Sequence, residues 1–129
     1  MGANSTKVLQ KELSFEIVGA AMEVLNTLGH GLNEKVYENA LVAELKTRGV
    51  SVQQQKRFKV LYKNVLVGEY IPDLLVDDKV IVDTKTIDSV SDTEVGQVLN
   101  YLRIAKLKLG IILNFRRPKL EHRRVALSD

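Results

Sequence analysis

The sequence contains no cysteine and no tryptophan, and only 2 of its 129 residues are proline. The absence of cysteine excludes a disulfide framework, a thiolate zinc site and a thiol nucleophile. Any bound metal must therefore have oxygen or imidazole ligands. Long hydrophobic runs are also missing, because residues 110–113 and 74–76 are far shorter than the ~20 residues that cross a bilayer. Since residues 1–7 lack the apolar core of a signal peptide, we expect a cytoplasmic protein without membrane contact.

The sequence does contain enough apolar material for one core. Hydrophobic residues make up 45% of the chain, and a domain of this length buries roughly two thirds of the surface that its unfolded chain exposes. No repeat, low-complexity tract or linker rich in proline and glycine interrupts the sequence. We therefore expect a flexible N-terminus over residues 1–12 and a single domain over residues 13–129.

Hydrophobic spacing predicts two helices in the first half of the chain. The first covers residues 15–28, with Ser14 as the expected N-cap and Gly29 as the stop. The second covers residues 33–48 and ends before Gly49. The residues that this second helix is expected to bury are Val36, Tyr37, Ala40 and Leu41.

From residue 50 onward the hydrophobic period changes to two and β-branched residues become frequent, which indicates strands. The predicted strands cover residues 50–62, 65–76 and 79–86. Turns at residues 63–64 and 77–78 separate them, so we expect an antiparallel meander.

A third helix has a well-marked start, because Ser91 and Glu94 form a Ser-x-x-Glu capping box. Its expected buried stripe is Val95, Val98, Leu99 and Leu102. Strands are predicted after it at residues 108–115 and 120–127. A strand, a helix and a further strand favour a right-handed crossover and a parallel pair. The fold class is therefore α/β (α+β), a mixed β-sheet covered by helices in the order ααβββαββ.

Charge is unevenly distributed although the net charge is only +3. Residues 71–94 contain seven acids against two lysines, and residues 103–124 contain eight bases against one acid. An acidic centre followed by a basic tail is typical of a cation site beside a surface that binds a polyanion. An ordinary solvated surface would give the same pattern.

The acidic region places two carboxylates close together. Asp73 and Asp83 lie at similar distances from the predicted turn at residues 77–78, so they are near cross-strand neighbours. Asp83 and Lys85 are two apart on one strand and project from the same face, while Val82 and Thr84 face the other way.

Adjacent carboxylates repel unless a cation neutralises them, and Mg²⁺ is usually held by one or two carboxylates and waters. An ammonium beside such a site can orient a water nucleophile or stabilise developing charge. An exposed Asp83–Lys85 ion pair is the structural alternative, but charged residues are rare on an apolar strand such as residues 80–85.

These residues resemble the signature of the PD-(D/E)XK nuclease superfamily, with Pro72-Asp73 followed by Asp83-Thr84-Lys85. Residues 97–101 resemble the Gln-x-x-x-Tyr motif of RecB-like members. Residues 31–37 are similar to the motif that names the GxxExxY proteins, small bacterial and archaeal members of the superfamily. The resemblance extends from about residue 13 to residue 125 and implies a restriction-endonuclease-like core.

The resemblance implies a role for each matched residue. Asp73, Asp83 and the backbone carbonyl of Thr84 would bind Mg²⁺ or Mn²⁺, with Glu34 completing the site directly or through water. Lys85 would position or activate the attacking water. Gln97 and Tyr101, four apart on one helix face, would reach the same site or a phosphate. Tyr37 is expected to be a core residue, and Gly31 to supply a backbone conformation.

The chain departs from the GxxExxY pattern at two positions. Asp83 stands where glutamate is favoured, and Thr84 stands where a larger apolar residue is common. Because aspartate is one methylene shorter, the resemblance implies that its carboxylate approaches the metal by a strand shift or through water.

The function predicted from the sequence is hydrolysis of DNA phosphodiester bonds by Mg²⁺-activated water, with branched and single-stranded DNA among the candidate substrates. The basic residues expected to hold the DNA backbone are Arg116, Arg117, Lys119, Arg123 and Arg124. Analogy with other small nucleases favours a homodimer. Two alternatives stay open: a non-catalytic nucleic-acid-binding module that keeps the fold, and a protein-interaction module in which the acidic cluster is a structural ion site.

Overall fold

The computed structural model describes residues 3–128, with side chains described from Gln10 onward. Three helices and seven strands follow one another along this part of the chain. In chain order they are α1 (Ala3–Leu28), α2 (Glu34–Thr47), β1 (Val52–Gln54), β2 (Phe58–Tyr62), β3 (Val65–Tyr70), β4 (Leu74–Val76), β5 (Val80–Lys85), α3 (Asp92–Ala105), β6 (Leu109–Asn114) and β7 (Glu121–Ala126).

Five of the strands form one mixed sheet in the order β1-β4-β5-β6-β7. Strands β5 and β6 are parallel, as the strand–helix–strand pattern predicts, and the other neighbours are antiparallel. Strands β2 and β3 form a separate two-stranded ribbon. This architecture confirms the predicted fold class, a mixed sheet with helices on its faces.

Two apolar clusters cover the two faces of the sheet. One joins α1 and α2 to the face that carries Val80 and Val82. The other joins α3 to the face that carries Ile81 and Ile112. Alternate residues of β5 therefore point into different clusters, and the strand is buried on both sides as a central parallel strand should be.

Helix α1 is longer than its hydrophobic spacing predicts, because it begins at Ala3 rather than after Ser14. Ser14 is not an N-cap: its hydroxyl donates to the carbonyl of Gln10 at 2.7 Å inside the helix. The stop at Gly29, where φ is +77°, is confirmed. The expected flexibility of residues 1–12 stays a prediction, and residues 1–2 lie outside the described range. None of the helices between residues 3 and 128 is both long and apolar enough to cross a membrane.

Helix α2 begins and ends where predicted, with Asn33 and Arg48 as its caps. Tyr37 and Leu41 are buried, but the prediction for Val36 is wrong, since 41% of that residue is exposed. In its place Glu38 is buried, with 3% exposed. The helix presents this acid to the sheet because it has hydrogen-bond partners there, which an apolar pattern does not reveal.

Each of the first two predicted strands is broken. The stretch 50–62 divides into β1 and β2, and the stretch 65–76 divides into β3 and β4, so the predicted simple meander is only partly correct. Gln55 has a positive φ of 60° at the first break, and Pro72, which has no N–H, lies at the second. The amide of Gln55 donates to the Asp73 carbonyl at 3.2 Å between the breaks. The ribbon of β2 and β3 therefore turns away from the main sheet.

Candidate active site

The site lies at the carboxyl end of β5. Asp83 and Lys85 project from one face of this strand, while Val82 and Thr84 face the cluster under α1 and α2. The Lys85 Nζ lies 3.4 Å from the Asp83 Oδ2, and their side chains are 26% and 17% exposed. This arrangement agrees with the alternation predicted for the strand and leaves both charged groups partly accessible.

Asp73 immediately precedes β4 and faces the same region. Leu74 pairs with Val82, so the same register places Asp73 opposite Asp83 just beyond the last paired residues. The Asp73 Oδ2 accepts hydrogen bonds from the Thr84 N–H at 2.9 Å and from the Thr84 hydroxyl at 3.1 Å. Thr84 therefore fixes the orientation of the Asp73 carboxylate.

Burial and the neighbouring Asp73 carboxylate change the pKa of Asp83. Burial raises the pKa of Asp83 to about 7, and the charge and hydrogen bond of Asp73 add to this, while Lys85 opposes it. Without a cation the pair therefore keeps a proton up to neutral pH, as expected for neighbouring carboxylates.

Glu34, in the first turn of α2, interacts electrostatically with Asp73 and Lys85. Partial burial and the charge of Asp73 raise the pKa of Glu34, while Lys85 and the backbone N–H of Thr86 lower it. Glu34 is therefore close enough to Asp73 and Lys85 to feel both charges. Its role as a metal ligand stays a prediction.

Tyr37 positions the turn that brings Glu34 to the sheet. Its hydroxyl donates to the Gly29 carbonyl at 2.6 Å and accepts from the Leu32 N–H at 3.0 Å. Its ring is stacked on Phe115, with centroids 4.7 Å apart. Tyr37 thus fastens the loop between α1 and α2, consistent with the expectation that it is a core residue. Gly31 has a φ of +97°, a conformation that favours glycine.

Replacing Tyr37 by phenylalanine should destabilise the protein by about 1–3 kcal/mol. The ring would still stack, but the Gly29 carbonyl and Leu32 N–H would lose their shared partner. Urea unfolding of Tyr37→Phe and of Tyr62→Phe, whose side chain is exposed, provides the comparison. Equal free energies of unfolding for the two variants would contradict this role of the Tyr37 hydroxyl.

Glu38 is a neighbour of the site that the sequence motifs do not indicate. Burial alone would raise its pKa, but hydrogen bonds from Lys35, Gln54 and Gln55 lower it overall. The donor distances are 2.8, 2.7 and 3.2 Å. Glu38 therefore ties α2 to the end of β1. The sequence feature that could have indicated Glu38 is its position four residues after Glu34, on the same helix face.

Tyr70 is a second residue that the motifs miss. Its ring stacks on Tyr101 with centroids 3.8 Å apart and planes inclined by 12°. Burial raises the pKa of Tyr70, and the charges of Asp83 and Asp73 raise it further, so Tyr70 lies near the carboxylates. The structure therefore brings Tyr101 to the site through Tyr70. Gln97 is exposed on α3, and within residues 10–128 no hydrogen bond joins it to the carboxylates.

The predicted basic residues do not share one surface. Arg116, Arg117 and Lys119 lie in the turn after β6, at the same end of the sheet as Lys85. Arg116 Nη1 lies 3.4 Å from the Thr86 carbonyl oxygen, and its Nη2 lies 3.6 Å from the Asp88 Oδ1.

Two further arginines are separated by strand alternation. Arg123 pairs with Ile112 and faces the α3 side, whereas Arg124 pairs with Ile111 and faces the α1 side. Of these five residues, Arg123 therefore faces the α3 side, whereas Arg116 borders the loop between α1 and α2 beside Gly31 and Leu32. Nucleic-acid binding by these five residues stays a prediction.

The donors at the site suit a hard cation, although no group of three or more His, Asp and Glu side chains in the described range is arranged as a complete metal cage. Asp73 and Asp83 are oxygen donors whose proximity disfavours two negative charges without a cation. Mg²⁺ usually binds through one or two carboxylates and keeps several waters, so it does not require such a cage.

The mixed sheet with helices on its faces agrees with the comparison to known families. The PD-(D/E)XK nuclease superfamily matches residues 11–125. No curated protein and no solved structure gives a significant match to the chain. Members of the superfamily are generally nucleases and typically use divalent metals. The match extends over most of the chain, from within α1 to β7, and the chain therefore belongs to the PD-(D/E)XK nuclease superfamily.

Proposed function

We propose that the protein is a metal-dependent nuclease that hydrolyses phosphodiester bonds in DNA. The observation that carries this proposal is the placement of Asp73 opposite Asp83 on neighbouring chain segments, with Lys85 on the face of Asp83. Membership of a nuclease superfamily supports a nucleic-acid substrate. An acidic pair can hold a metal that activates water, and an adjacent ammonium can stabilise the charge that develops on phosphate oxygens.

Asp73, Asp83 and the backbone carbonyl of Thr84 would hold Mg²⁺ or Mn²⁺, with Glu34 contributing through water. The bound metal would lower the pKa of a water and stabilise negative charge on phosphate oxygens.

The protein's own groups would position the reactants. Lys85 would donate to the attacking water or to a phosphate oxygen. The N–H and hydroxyl of Thr84 keep Asp73 in its orientation. In the reaction the water oxygen bonds to phosphorus and the bond from phosphorus to a sugar oxygen breaks. The products are a phosphate end and a hydroxyl end.

The substrate would also contact residues outside the acidic pair, namely Tyr101, Gln97 and the basic residues. We propose that Tyr101 and Gln97 contact a phosphate beside the cleaved bond, with the Tyr101 ring held by Tyr70. Arg116, Arg117, Lys119 and Arg123 would hold the DNA backbone at this end of the sheet, and Arg124 would contact more distant phosphates. Such contacts produce binding that depends on salt and little on sequence.

The test is an endonuclease and exonuclease assay on labelled single-stranded, duplex and branched DNA with Mg²⁺, Mn²⁺ or EDTA. Cleavage with either metal and none in EDTA is the expected result. Binding in EDTA without cleavage under any condition would instead support a non-catalytic nucleic-acid-binding module. Thermal stabilisation by Mg²⁺ with no DNA affinity would support a protein-interaction module with a structural ion site.

We also propose that the active form is a homodimer, which would present one site to each strand of a duplex or junction. Phe15 is 82% exposed at the rim of a hollow of about 910 Å³ between α1 and the sheet. Val18, Met22 and Ile111 also line this hollow. The Phe15 ring of one copy would insert into the hollow of the second copy.

We expect sedimentation to give twice the chain mass for the parent and the single-chain mass for Phe15→Ser. Leu28→Ser, which changes an exposed residue at the other end of α1, is the control and should keep the parent's mass. A monomeric parent would contradict the dimer.

A further inference from the structure

The ribbon of β2 and β3 is an exposed apolar projection beside the acidic pair. Its free end carries five apolar residues that are each 56–62% exposed. We call this group the hairpin tip: Leu61, Tyr62, Val65, Leu66 and Val67. Contiguous exposed apolar side chains of this kind mark an interaction surface rather than scattered surface residues.

The path of the chain places this ribbon at the catalytic end of the sheet. Strand β4 runs antiparallel to β5 and begins at Leu74, opposite Val82. The chain before Leu74 therefore continues past the carboxyl end of β5, where Asp83 and Lys85 lie. The strands hold 5 and 6 residues, so the ribbon is about 15–20 Å long.

The base of the ribbon is anchored while its tip is free. Phe58 pairs with Tyr70, and both pack against the apolar cluster under α3. Tyr70 also stacks on Tyr101. Because the base is packed next to the acidic pair, the length of the ribbon sets the distance from the acidic pair to the group that the tip contacts.

The charge of the ribbon fits a polyanion. Lys56, Lys59 and Lys63 are exposed, and within residues 10–128 none of their ammonium groups lies in an ion pair. Lys63 Nζ instead lies 5.4 Å from the centroid of the Tyr62 ring. Arg57 is the exception, because its Nε lies 3.8 Å from the Glu69 carboxylate. The ribbon therefore carries an excess of positive charge along its length, since its one acid, Glu69, lies opposite Lys59 in the register. This excess favours nucleic acid over an apolar protein partner.

The lysines and the apolar side chains of the ribbon would contact different parts of a nucleic acid. Lysines bind phosphates in any duplex, but aliphatic and aromatic side chains gain nothing from the phosphate backbone. They gain by packing on base faces, which an intact duplex hides and which become accessible where paired strands separate.

We infer that the β2–β3 ribbon binds nucleic acid at a junction between paired and unpaired strands, with the hairpin tip packed against the first exposed base pair. The lysines hold the flanking backbone, and the anchored base directs one strand toward Asp73 and Asp83. This inference rests on the proposed nuclease function for the identity of the substrate class.

The test measures binding by fluorescence anisotropy in EDTA, so that no cleavage is needed. The probes are a forked DNA duplex, a blunt duplex of the same paired sequence and a single strand. We expect the parent to bind the fork about tenfold more tightly than the blunt duplex. The double variant Tyr62→Ala/Leu66→Ser should bind both probes equally.

Lysine replacement should have a different effect. Lys59→Ala/Lys63→Ala should weaken binding to all probes by a similar factor and reduce the salt dependence by about two phosphate contacts. The matched control is Lys46→Ala/Lys79→Ala, two exposed lysines away from the ribbon, and should bind as the parent does. If the tip variant melts earlier than the parent, the single variant Tyr62→Ser replaces it.

Several results would overturn the inference: equal affinity of the parent for fork and blunt duplex, no DNA binding, or an unchanged fork preference in the tip variant. A change in sedimenting mass for the tip variant, with unchanged DNA affinity, would assign the tip to a protein partner. A fork preference that depends on the tip, without metal-dependent cleavage, would refute the nuclease proposal alone. Cleavage that depends on Asp83 with no effect of the tip would refute this inference alone.

Discussion

Asp83→Asn and Lys85→Ala should each reduce DNA cleavage by about a hundredfold to a thousandfold, with little loss of DNA binding. The first substitution removes a charged oxygen donor while keeping the shape of the side chain. The second removes the ammonium that lies 3.4 Å from this carboxylate. Both groups would act on charge that develops in the transition state, and losing such a group commonly costs two to three orders of magnitude in rate. Initial rates on labelled DNA with saturating Mg²⁺ measure the effect.

The turn between β4 and β5 offers matched controls. Asp78→Asn and Lys79→Ala make the same chemical changes at exposed positions at the opposite end of β5. Both variants should cut DNA at the parent's rate. Parent-like rates for Asp83→Asn and Lys85→Ala would eliminate the acidic pair as the catalytic centre, whatever activity the preparation shows.

The metal-free protein should become less stable as the pH rises from about 4 to about 7. The folded state raises the pKa of Asp83 from 3.8 to about 7, mainly through burial. In this window the folded protein therefore holds a proton that the unfolded chain has released, so each increase in pH favours unfolding. The loss should amount to about 2–4 kcal/mol. Glu34, whose pKa is also raised, acts in the same direction.

The raised pKa of Lys85 does not interfere, because its effect on stability appears only above its ordinary value of 10.5. The lowered pKa values of Glu38 and Glu94 contribute stability that is lost only as the pH falls below 4.5. Urea unfolding in EDTA between pH 4.5 and 8 therefore measures mainly Asp83 and Glu34.

Asp83→Asn is the control for this pH effect. We expect this variant to be more stable than the parent at pH 8 without metal, and to lose most of the pH dependence between pH 4.5 and 7. Mg²⁺ should stabilise the parent at pH 8, since it binds the charged carboxylates, and should have little effect on the variant. A parent whose stability is flat from pH 4.5 to 8 would contradict the burial of the Asp83 carboxyl group beside Asp73.

Several elements could be predicted from residues that lie close together in the sequence. The start of α3 is confirmed in full, because the capping box of Ser91 and Glu94 involves only neighbouring backbone groups. The parallel pairing of β5 and β6 follows from the strand–helix–strand order. Side-chain alternation along β5 depends only on strand geometry, so the shared face of Asp83 and Lys85 was predictable.

Other features could not be predicted, because they depend on contacts between segments that are distant in the sequence. Ser14 resembles a cap in sequence, but α1 extends through it to Ala3, and its hydroxyl turns back to Gln10. The strand breaks at Gln55 and Pro72 occur opposite each other, which no single stretch of sequence reveals. Tyr70 reaches the carboxylates because the ribbon packs against Tyr101 on α3.

The sequence by itself determined the class of the protein: a cysteine-free mixed α/β chain with an acidic pair, a lysine and helix motifs in the order of one nuclease superfamily. These features depend on residue identity and short-range periodicity. Only the tertiary structure decided which charges share a surface. The pairing of β7 with β6 puts Arg123 on the face covered by α3 and Arg124 on the face covered by α1, and the break before β4 turns an apolar, lysine-rich ribbon beyond the acidic pair. Long-range pairing and burial set these positions, because they require groups far apart in the chain to satisfy each other's hydrogen bonds and cover each other's apolar surface.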